Sequence, residues 1–206
     1  MSKFSAADNS TRLSQRVQAE ALFSAIRSGN CEAVVRLVPT VLDLDAHTDG
    51  HNNDTPLVFA ARFDLPLSGF KALLERSDAR HANSHGRTAL MFAAWGAEPH
   101  SPQMVRLLLP VSNPQAVDSD SRSALHFGIR RGVNKDVFGE IFAMLLPVSD
   151  LEQADCHGRS PLACARAQNF NEAVQLILAE MARRESTLLA KSTLQANGSA
   201  PCSRRL

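Results

Sequence analysis

The chain has 206 residues and a formal net charge of +1, so it lacks the strong electrostatic field of many nucleic-acid and membrane binders. Its length suits one compact domain or one short repeat array, and a hydrophobic fraction of 44% is enough for a core. Sparse aromatic residues and the absence of tyrosine argue against a surface that stacks nucleic-acid bases. Because the sequence shows neither a run of about 18 apolar residues nor an apolar signal core near its start, we expect a cytoplasmic protein without a membrane span.

A helical stripe precedes the repeated pattern. Between residues 11 and 26, Leu13, Val17, Leu22 and Ala25 recur at helical spacing, which predicts an amphipathic helix. Beside a repeat array, such a helix would shield the apolar surface of the first unit. We therefore interpret this segment as an N-terminal cap.

Four short strings then recur at a period near 33 residues. They begin at Thr55, Thr88, Ser123 and Ser160, and a weaker copy begins at Glu20. The steps between successive copies are 35, 33, 35 and 37 residues. Each opening Thr or Ser can accept a hydrogen bond from an orphan backbone N–H, which predicts a helix start. The leucine two residues later in each copy is expected to stack into a continuous core.

A polar turn precedes each string. Gly86 and Gly158 suit the positive φ of a tight hairpin, whereas Asn53 and Ser121 stand in the place of glycine in two other copies. Asn tolerates that conformation, but Ser does so less well. We therefore expect the fourth hairpin, around Ser121, to be distorted.

The period, the Thr-Pro-Leu string at Thr55 and the Asp-Cys-His-Gly-Arg turn at Asp155 together resemble the ankyrin repeat. The resemblance covers about residues 13–182. It implies an all-α ankyrin-repeat solenoid, in which helix-turn-helix units stack and hairpin loops protrude.

The sequence also departs from the family pattern. Second helices of the family commonly end with Gly-Ala, but three copies here end with Pro39, Pro110 and Pro147, a variant that resembles bacterial ankyrin proteins. Proline would stop these helices through a lost donor and a steric clash. Extra residues around 98–103 and 133–138 predict a longer loop or helix in the third and fourth repeats.

The predicted organisation has three parts: a flexible segment at 1–12, an ankyrin-repeat domain at 13–190 and a flexible basic tail at 191–206. The predicted repeats lie near 19–51, 52–84, 85–119, 120–156 and 157–189. The expected oligomeric state is a monomer.

The resemblance implies that a partner binds to a concave groove formed by the first helices and the hairpin tips. By family register, the predicted contacts are Arg62, Phe63, Trp95, Arg130 and Arg131 in the groove and His85, Arg87, Arg122, His157 and Arg159 at the tips. Arg and Trp are enriched in binding hot spots, and Arg pairs well with carboxylates. The sequence therefore predicts another protein with an acidic segment as the partner, although solvated arginines and a Trp95 packed into its own repeat would give the same pattern.

Other functions remain open at this stage. The module could act as an adaptor, scaffold or inhibitor, or as a bacterial effector in a host cytosol, or it could associate with nucleic acid through a basic groove and tail. Motifs for a serine nucleophile, a zinc protease or a phosphate loop are missing from the sequence, so we expect no enzyme. We also expect no cofactor, no metal and no small-molecule substrate, and we interpret His126 as a structural residue that is hydrogen-bonded within its repeat.

Overall fold

The computed structural model describes residues 6–46, 48–50, 52–96, 99–130 and 135–198. Within these ranges the α-helices are α1 Ala6–Arg27, α2 Cys31–Leu37, α3 Pro56–Arg62, α4 Leu67–Leu74, α5 Ala89–Trp95, α6 Ser101–Leu108, α7 Ala124–Arg130, α8 Lys135–Leu145, α9 Pro161–Ala167 and α10 Asn171–Gly198. Short 3-10 turns at Val38–Thr40 and Leu146–Val148 follow α2 and α8. Extended structure in the described residues is limited to the isolated bridges Ala82–Thr88 and Val117–Ser123.

The helices stack in two layers. The odd-numbered helices pack against one another in chain order from α1 to α9, and the even-numbered helices do so from α2 to α8. Each odd helix pairs with the even helix that follows it, so the five pairs correspond to the five predicted repeats. The predicted all-α solenoid of stacked helix-turn-helix units is confirmed.

The recurring strings form the odd helices for the predicted reason. The hydroxyl oxygens of Thr55, Thr88 and Ser160 accept hydrogen bonds from the backbone N–H three residues later, at 3.5, 3.4 and 3.3 Å. Pro56 and Pro161 occupy the first helical position, where a missing N–H removes no helical hydrogen bond. A short polar side chain and a proline therefore fix where these helices begin.

Stacked leucines form the centre of the core, as the sequence predicted. Leu57, Leu90 and Leu125 are almost fully buried, whereas Leu162 in the last repeat is only half-buried. Small residues let the layers approach: a Cβ atom on Gly128 would lie 3.0 Å from the Phe142 ring of α8. One repeat cannot bury its own apolar face, so the stability of each pair depends on its neighbours.

The fourth hairpin is regular, so the predicted distortion at Ser121 is wrong. Ser121 adopts a φ of 59°, and the N–H of Asp118 still donates to the carbonyl of Arg122 at 3.0 Å. The reason is that Asp118 Oδ1 accepts the backbone N–H of Asp120 and of Arg122 at 3.0 and 2.9 Å. These bonds hold the turn in a conformation that serine alone disfavours.

Arginines from the next repeat cap two of the three proline-ended helices. Arg76 of the second repeat donates to the carbonyl of Val38, and Arg184 of the fifth repeat donates to that of Ser149 at 3.0 Å. Carbonyls at a helix end need such partners, because proline prevents the helix from continuing. Arg184 also pairs with Glu180 at 2.9 Å, so this arginine belongs to the packed array.

The helical bounds differ from the prediction at both ends. Helix α1 begins at Ala6, inside the predicted flexible segment 1–12, and α10 continues to Gly198, inside the predicted tail 191–206. The helix-favouring residues Ala6, Ala7 and Arg12 in the first segment and Lys191, Leu194, Gln195 and Ala196 in the second favour these longer helices. Helix α8 has 11 residues against 7 in α2, which confirms the predicted lengthening in the fourth repeat.

Candidate protein-binding groove

A line of pockets runs along the C-terminal ends of the odd helices and the hairpins beside them. We call this surface the groove. One pocket, of about 340 Å³, lies between α1 and the 48–50 turn, and another, of about 280 Å³, lies between the hairpin of Asp155 and α9. A third, of about 460 Å³, lies between the ends of α3 and α5. The groove therefore combines the helix ends and hairpins that the sequence predicted as a binding surface.

The third pocket, which we call the central pocket, brings together three of the predicted contact residues. Arg62, Phe63 and Trp95 line it together with Asp64 and Phe92, and Ala61 and Gly96 complete the lining. Phe63 is 42% exposed and Trp95 is half-buried, whereas Phe92 is buried beneath them. The alternative in which Trp95 packs into its own repeat is correct in part, because its ring lies 6.0 Å from that of Phe92.

Aromatic rings and arginines alternate along this part of the groove. The Phe59 and Phe63 rings lie 4.4 Å apart, and the guanidinium of Arg27 lies 5.5 Å from the Phe59 ring. The guanidinium of Arg62 lies 5.8 Å from both the Phe63 and the Phe92 rings. Such cation–π contacts hold the arginine heads against the ring faces.

A buried carboxylate fixes Arg62. Asp54 is fully buried, and its Oδ2 accepts a hydrogen bond from Arg62 Nη1 at 3.0 Å. Its Oδ1 accepts one from the Asn83 amide of the next hairpin at 2.6 Å. Arg62 is thus positioned by an ion pair and two rings, and it needs little ordering when a partner binds.

The predicted tip arginines Arg87 and Arg122 share one carboxylate. Arg122 Nη2 lies 2.7 Å and Arg87 Nε lies 3.5 Å from Asp118 Oδ2. Burial alone would raise the pKa of Asp118, but the hydrogen bonds and charge of Arg122 outweigh it and lower that pKa. Both guanidinium groups also lie over the Phe127 ring, at 5.8 and 5.2 Å.

Arg159 has the same arrangement within the last hairpin. Its Nη2 and Nε lie 2.8 and 3.0 Å from Asp155 Oδ2. Burial alone would raise the pKa of Asp155, but this pairing outweighs burial and holds that pKa well below its usual range. Four predicted contact arginines, including Arg62, are therefore paired within the chain. The sequence offered a signal that our prediction missed, because Asp118 and Asp155 each lie four residues before the arginine they bind.

The two predicted tip histidines are exposed but do not come together. His85 Nδ1 lies 3.2 Å from the Ser84 hydroxyl, and His157 Nδ1 lies 3.2 Å from Cys156 Sγ. The remaining predicted residues, the side chain of Arg130 and the whole of Arg131, lie outside the described parts of the chain.

His126 is buried and couples two repeats. Its Nδ1 lies 3.0 Å from the Ser123 hydroxyl, and its Nε2 lies 3.2 Å from the carbonyl of Arg159 in the next repeat. Burial lowers the pKa of His126, which favours the neutral ring that can accept at one nitrogen and donate at the other. The structure therefore supports the predicted structural use.

Arg27 differs from the other groove arginines. Among the described residues, no carboxylate lies within 4.0 Å of its guanidinium nitrogens. In the 340 Å³ pocket that Arg27 lines, the nearby Glu20 pairs with Arg16 at 3.1 Å, and Asp49 Oδ1 accepts backbone N–H groups of the turn. Among the described residues, Arg27 thus makes no direct ion pair, although Asp49 lines the same pocket at this end of the groove.

Two further features bear on function. The described side chains hold no group of three or more His, Cys, Asp or Glu that could bind a metal ion. None of the described helices is long and apolar enough to cross a membrane.

Comparisons with known proteins agree with the fold. A family model described as ankyrin repeats in three copies matches residues 22–111. A solved ankyrin repeat domain from Acinetobacter baumannii AYE is similar to this chain, with a TM-score of 0.66 and 28% sequence identity. That similarity covers 77% of this chain and 80% of the other, whereas no curated protein matches. The segment matched by the family model contains the central pocket.

Proposed function

Since this chain carries ankyrin repeats and folds as an ankyrin-repeat solenoid, we propose that it acts by binding another protein through the groove. Ankyrin repeats are generally protein-interaction modules and not enzymes. The observation that carries the proposal is the central pocket, where Phe63 and Trp95 are presented beside the fixed guanidinium of Arg62. The proposed roles are those of an adaptor, scaffold or inhibitor in the cytoplasm, or in a host cytosol if the protein is a delivered effector.

Preorganisation supports this function. Binding hot spots are enriched in Trp and Arg, and they cluster near the centre of an interface. Arg62 and Trp95 lie in the second and third of five repeats, close to the middle of the groove. Because packed helices carry both side chains, a partner would bind without a large loss of conformational entropy.

We retain an acidic segment as the proposed partner feature, but the structure changes which arginines would contact it. Arg87, Arg122 and Arg159 are already paired with Asp118, Asp120 and Asp155, so their net attraction for an acid is small. Among the described residues Arg27 has no such ion pair, and the pairing of Arg62 with Asp54 uses only one nitrogen of a guanidinium with five donors.

By family register, the sequence predicts that Arg130 and Arg131 add further positive charge to the groove. The proposed acidic segment would therefore contact the arginines at the ends of the odd-numbered helices, whereas the tip arginines would serve mainly to hold the hairpins.

A comparative pull-down tests the proposal. The full chain and a groove variant with Phe63→Ala and Trp95→Ala are used as baits in extracts of the source cells, and captured proteins are quantified by mass spectrometry. A control variant changes Val35 and Leu178 to Ala, which removes side chains of similar exposure, 45% and 42%, from the even helices.

We expect a partner that wild type and control capture and the groove variant loses. Circular dichroism of all three baits must show the same helical content, so that lost binding cannot be assigned to unfolding. Equal capture by wild type and groove variant would place the binding surface elsewhere and contradict the proposal.

A further inference from the structure

The groove holds two different features about one repeat apart: the cation of Arg27 and the central pocket. Arg27 contacts the Phe59 ring, and Phe59 contacts the Phe63 ring of the pocket wall. From these two contacts, the Arg27 guanidinium lies within about 10 Å of the Phe63 ring. A short segment of partner chain can therefore reach both features at once.

The lining of the central pocket selects the kind of side chain that fits. The rings of Phe63 and Trp95 line the pocket, and they favour an aromatic partner in an edge or offset arrangement. Arg62 and Asp64 lie in the same lining, and a purely aliphatic side chain would remove them from water without offering a hydrogen bond. A tyrosine or tryptophan presents both a ring and a polar group.

A cationic side chain fits less well. The guanidinium of Arg62 already lies over both the Phe63 and the Phe92 rings, so a second cation that entered beside Phe63 would meet like charge. The pocket is also wide enough, at about 460 Å³, to admit one aromatic side chain with its backbone outside.

Gly96 lies in close contact with Ser101 beside Trp95. A Cβ atom on Gly96 would lie 2.1 Å from the hydroxyl oxygen of Ser101, so a larger residue at this position would require the Ser101 side chain to move.

We infer that the groove recognises an extended segment of a partner protein in which an Asp or Glu lies about two to four residues from a Tyr or Trp. The carboxylate pairs with Arg27, and the aromatic ring enters the central pocket. An extended chain advances about 3.3 Å per residue, so this spacing spans the distance between the two features. The inference rests on the proposed function and specifies its partner.

A random peptide library displayed on phage tests this inference without a known partner. The library is selected on the immobilised full chain, and phage that also bind the variant with Phe63→Ala and Trp95→Ala are removed. We expect the remaining peptides to share an acidic residue and a Tyr or Trp at the stated spacing. Groove-dependent peptides without that spacing would overturn the inference while leaving the proposed function intact.

Synthetic peptides that carry the selected motif with tyrosine provide the second arm. Trp95 is the only tryptophan of the chain, so its fluorescence reports directly on occupation of the central pocket. Changing the peptide tyrosine to alanine is expected to weaken binding about tenfold or more, in the range of a hot-spot contact.

The acidic contact is tested by a double-mutant cycle. Replacing the peptide Glu by Gln should weaken binding to wild type but not to Arg27→Ala. Arg16→Ala is the matched control, because Arg16 lines the same pocket but is paired with Glu20, and it should keep the preference for Glu.

Equal affinity of Glu and Gln peptides for wild type would overturn the role of Arg27. A library that yields no groove-dependent peptide would overturn the whole inference. The proposed function is judged separately, by the pull-down with native proteins.

Discussion

Replacing Asp118 with alanine removes the acceptor that holds the fourth hairpin and two arginines. Its Oδ1 accepts two backbone N–H groups, and its Oδ2 pairs with Arg122 and Arg87. The two arginine side chains are only 14% and 28% exposed, so water can replace the lost carboxylate only in part. Removing one partner of a buried pair costs about 3–5 kcal/mol. Because Asp120 still pairs with Arg122, we expect the lower part of that range, about 3–4 kcal/mol.

Asp118→Asn is the matched control, since the third hairpin already has Asn83 at this position. The Asn83 side-chain oxygen accepts the N–H groups of His85 and Arg87 at 2.9 and 3.0 Å. The asparagine variant should therefore keep the backbone bonds and lose only the ionic part, about 1–2 kcal/mol.

Urea unfolding followed by circular dichroism measures both free energies of unfolding. No loss in Asp118→Asn would show that the ion pairs contribute nothing measurable, whereas equal losses in the two variants would show that the two backbone hydrogen bonds contribute nothing measurable. A loss below about 1 kcal/mol for Asp118→Ala would refute the view that tip arginines serve the hairpin structure.

Three further predictions concern the array. Leu125→Ala should lower the free energy of unfolding by about 2–5 kcal/mol, because Leu125 is fully buried, and an unchanged urea midpoint would show that our register is wrong. Arg184→Ala should cost about 1–3 kcal/mol in the same assay, since it leaves the carbonyl of Ser149 and the carboxylate of Glu180 without this donor. The pKa of His126 is lowered in the folded state, so the unfolded chain binds the proton first as the pH decreases. The contribution of His126 to the free energy of unfolding should therefore be full above about pH 6.5 and fall below it. Thermal unfolding of wild type and His126→Gln across this pH range tests the sign, and an equal pH dependence of both would contradict it.

The repeat was predictable because its signals are local. The capping hydroxyl of Thr55, the proline after it and the leucine two residues later all act within one helix turn. Their recurrence fixed the number of helix pairs and the odd-helix starts. The prediction at Ser121 failed because the bonds from Asp118 override the weak preference of a single residue.

The contacts of the groove were predictable only in part. Phe63 and Trp95, which family register assigned to the groove, line one pocket. It did not show that Arg62 is held by Asp54, or that Arg87 contacts Asp118, which lies 31 residues away in the next repeat. Such contacts depend on how neighbouring repeats stack. The repeat pattern in the sequence does not show which side chains of neighbouring repeats come within contact distance.

The most direct test of the binding groove is the affinity of the partner found by the comparative pull-down. Calorimetric titration would compare wild type, the variant with Phe63→Ala and Trp95→Ala, and the control variant with Val35→Ala and Leu178→Ala. We predict binding at least about tenfold weaker for the groove variant and unchanged binding for the control. Equal affinity of wild type and groove variant, with both folded, would contradict the assignment of the groove as the binding surface.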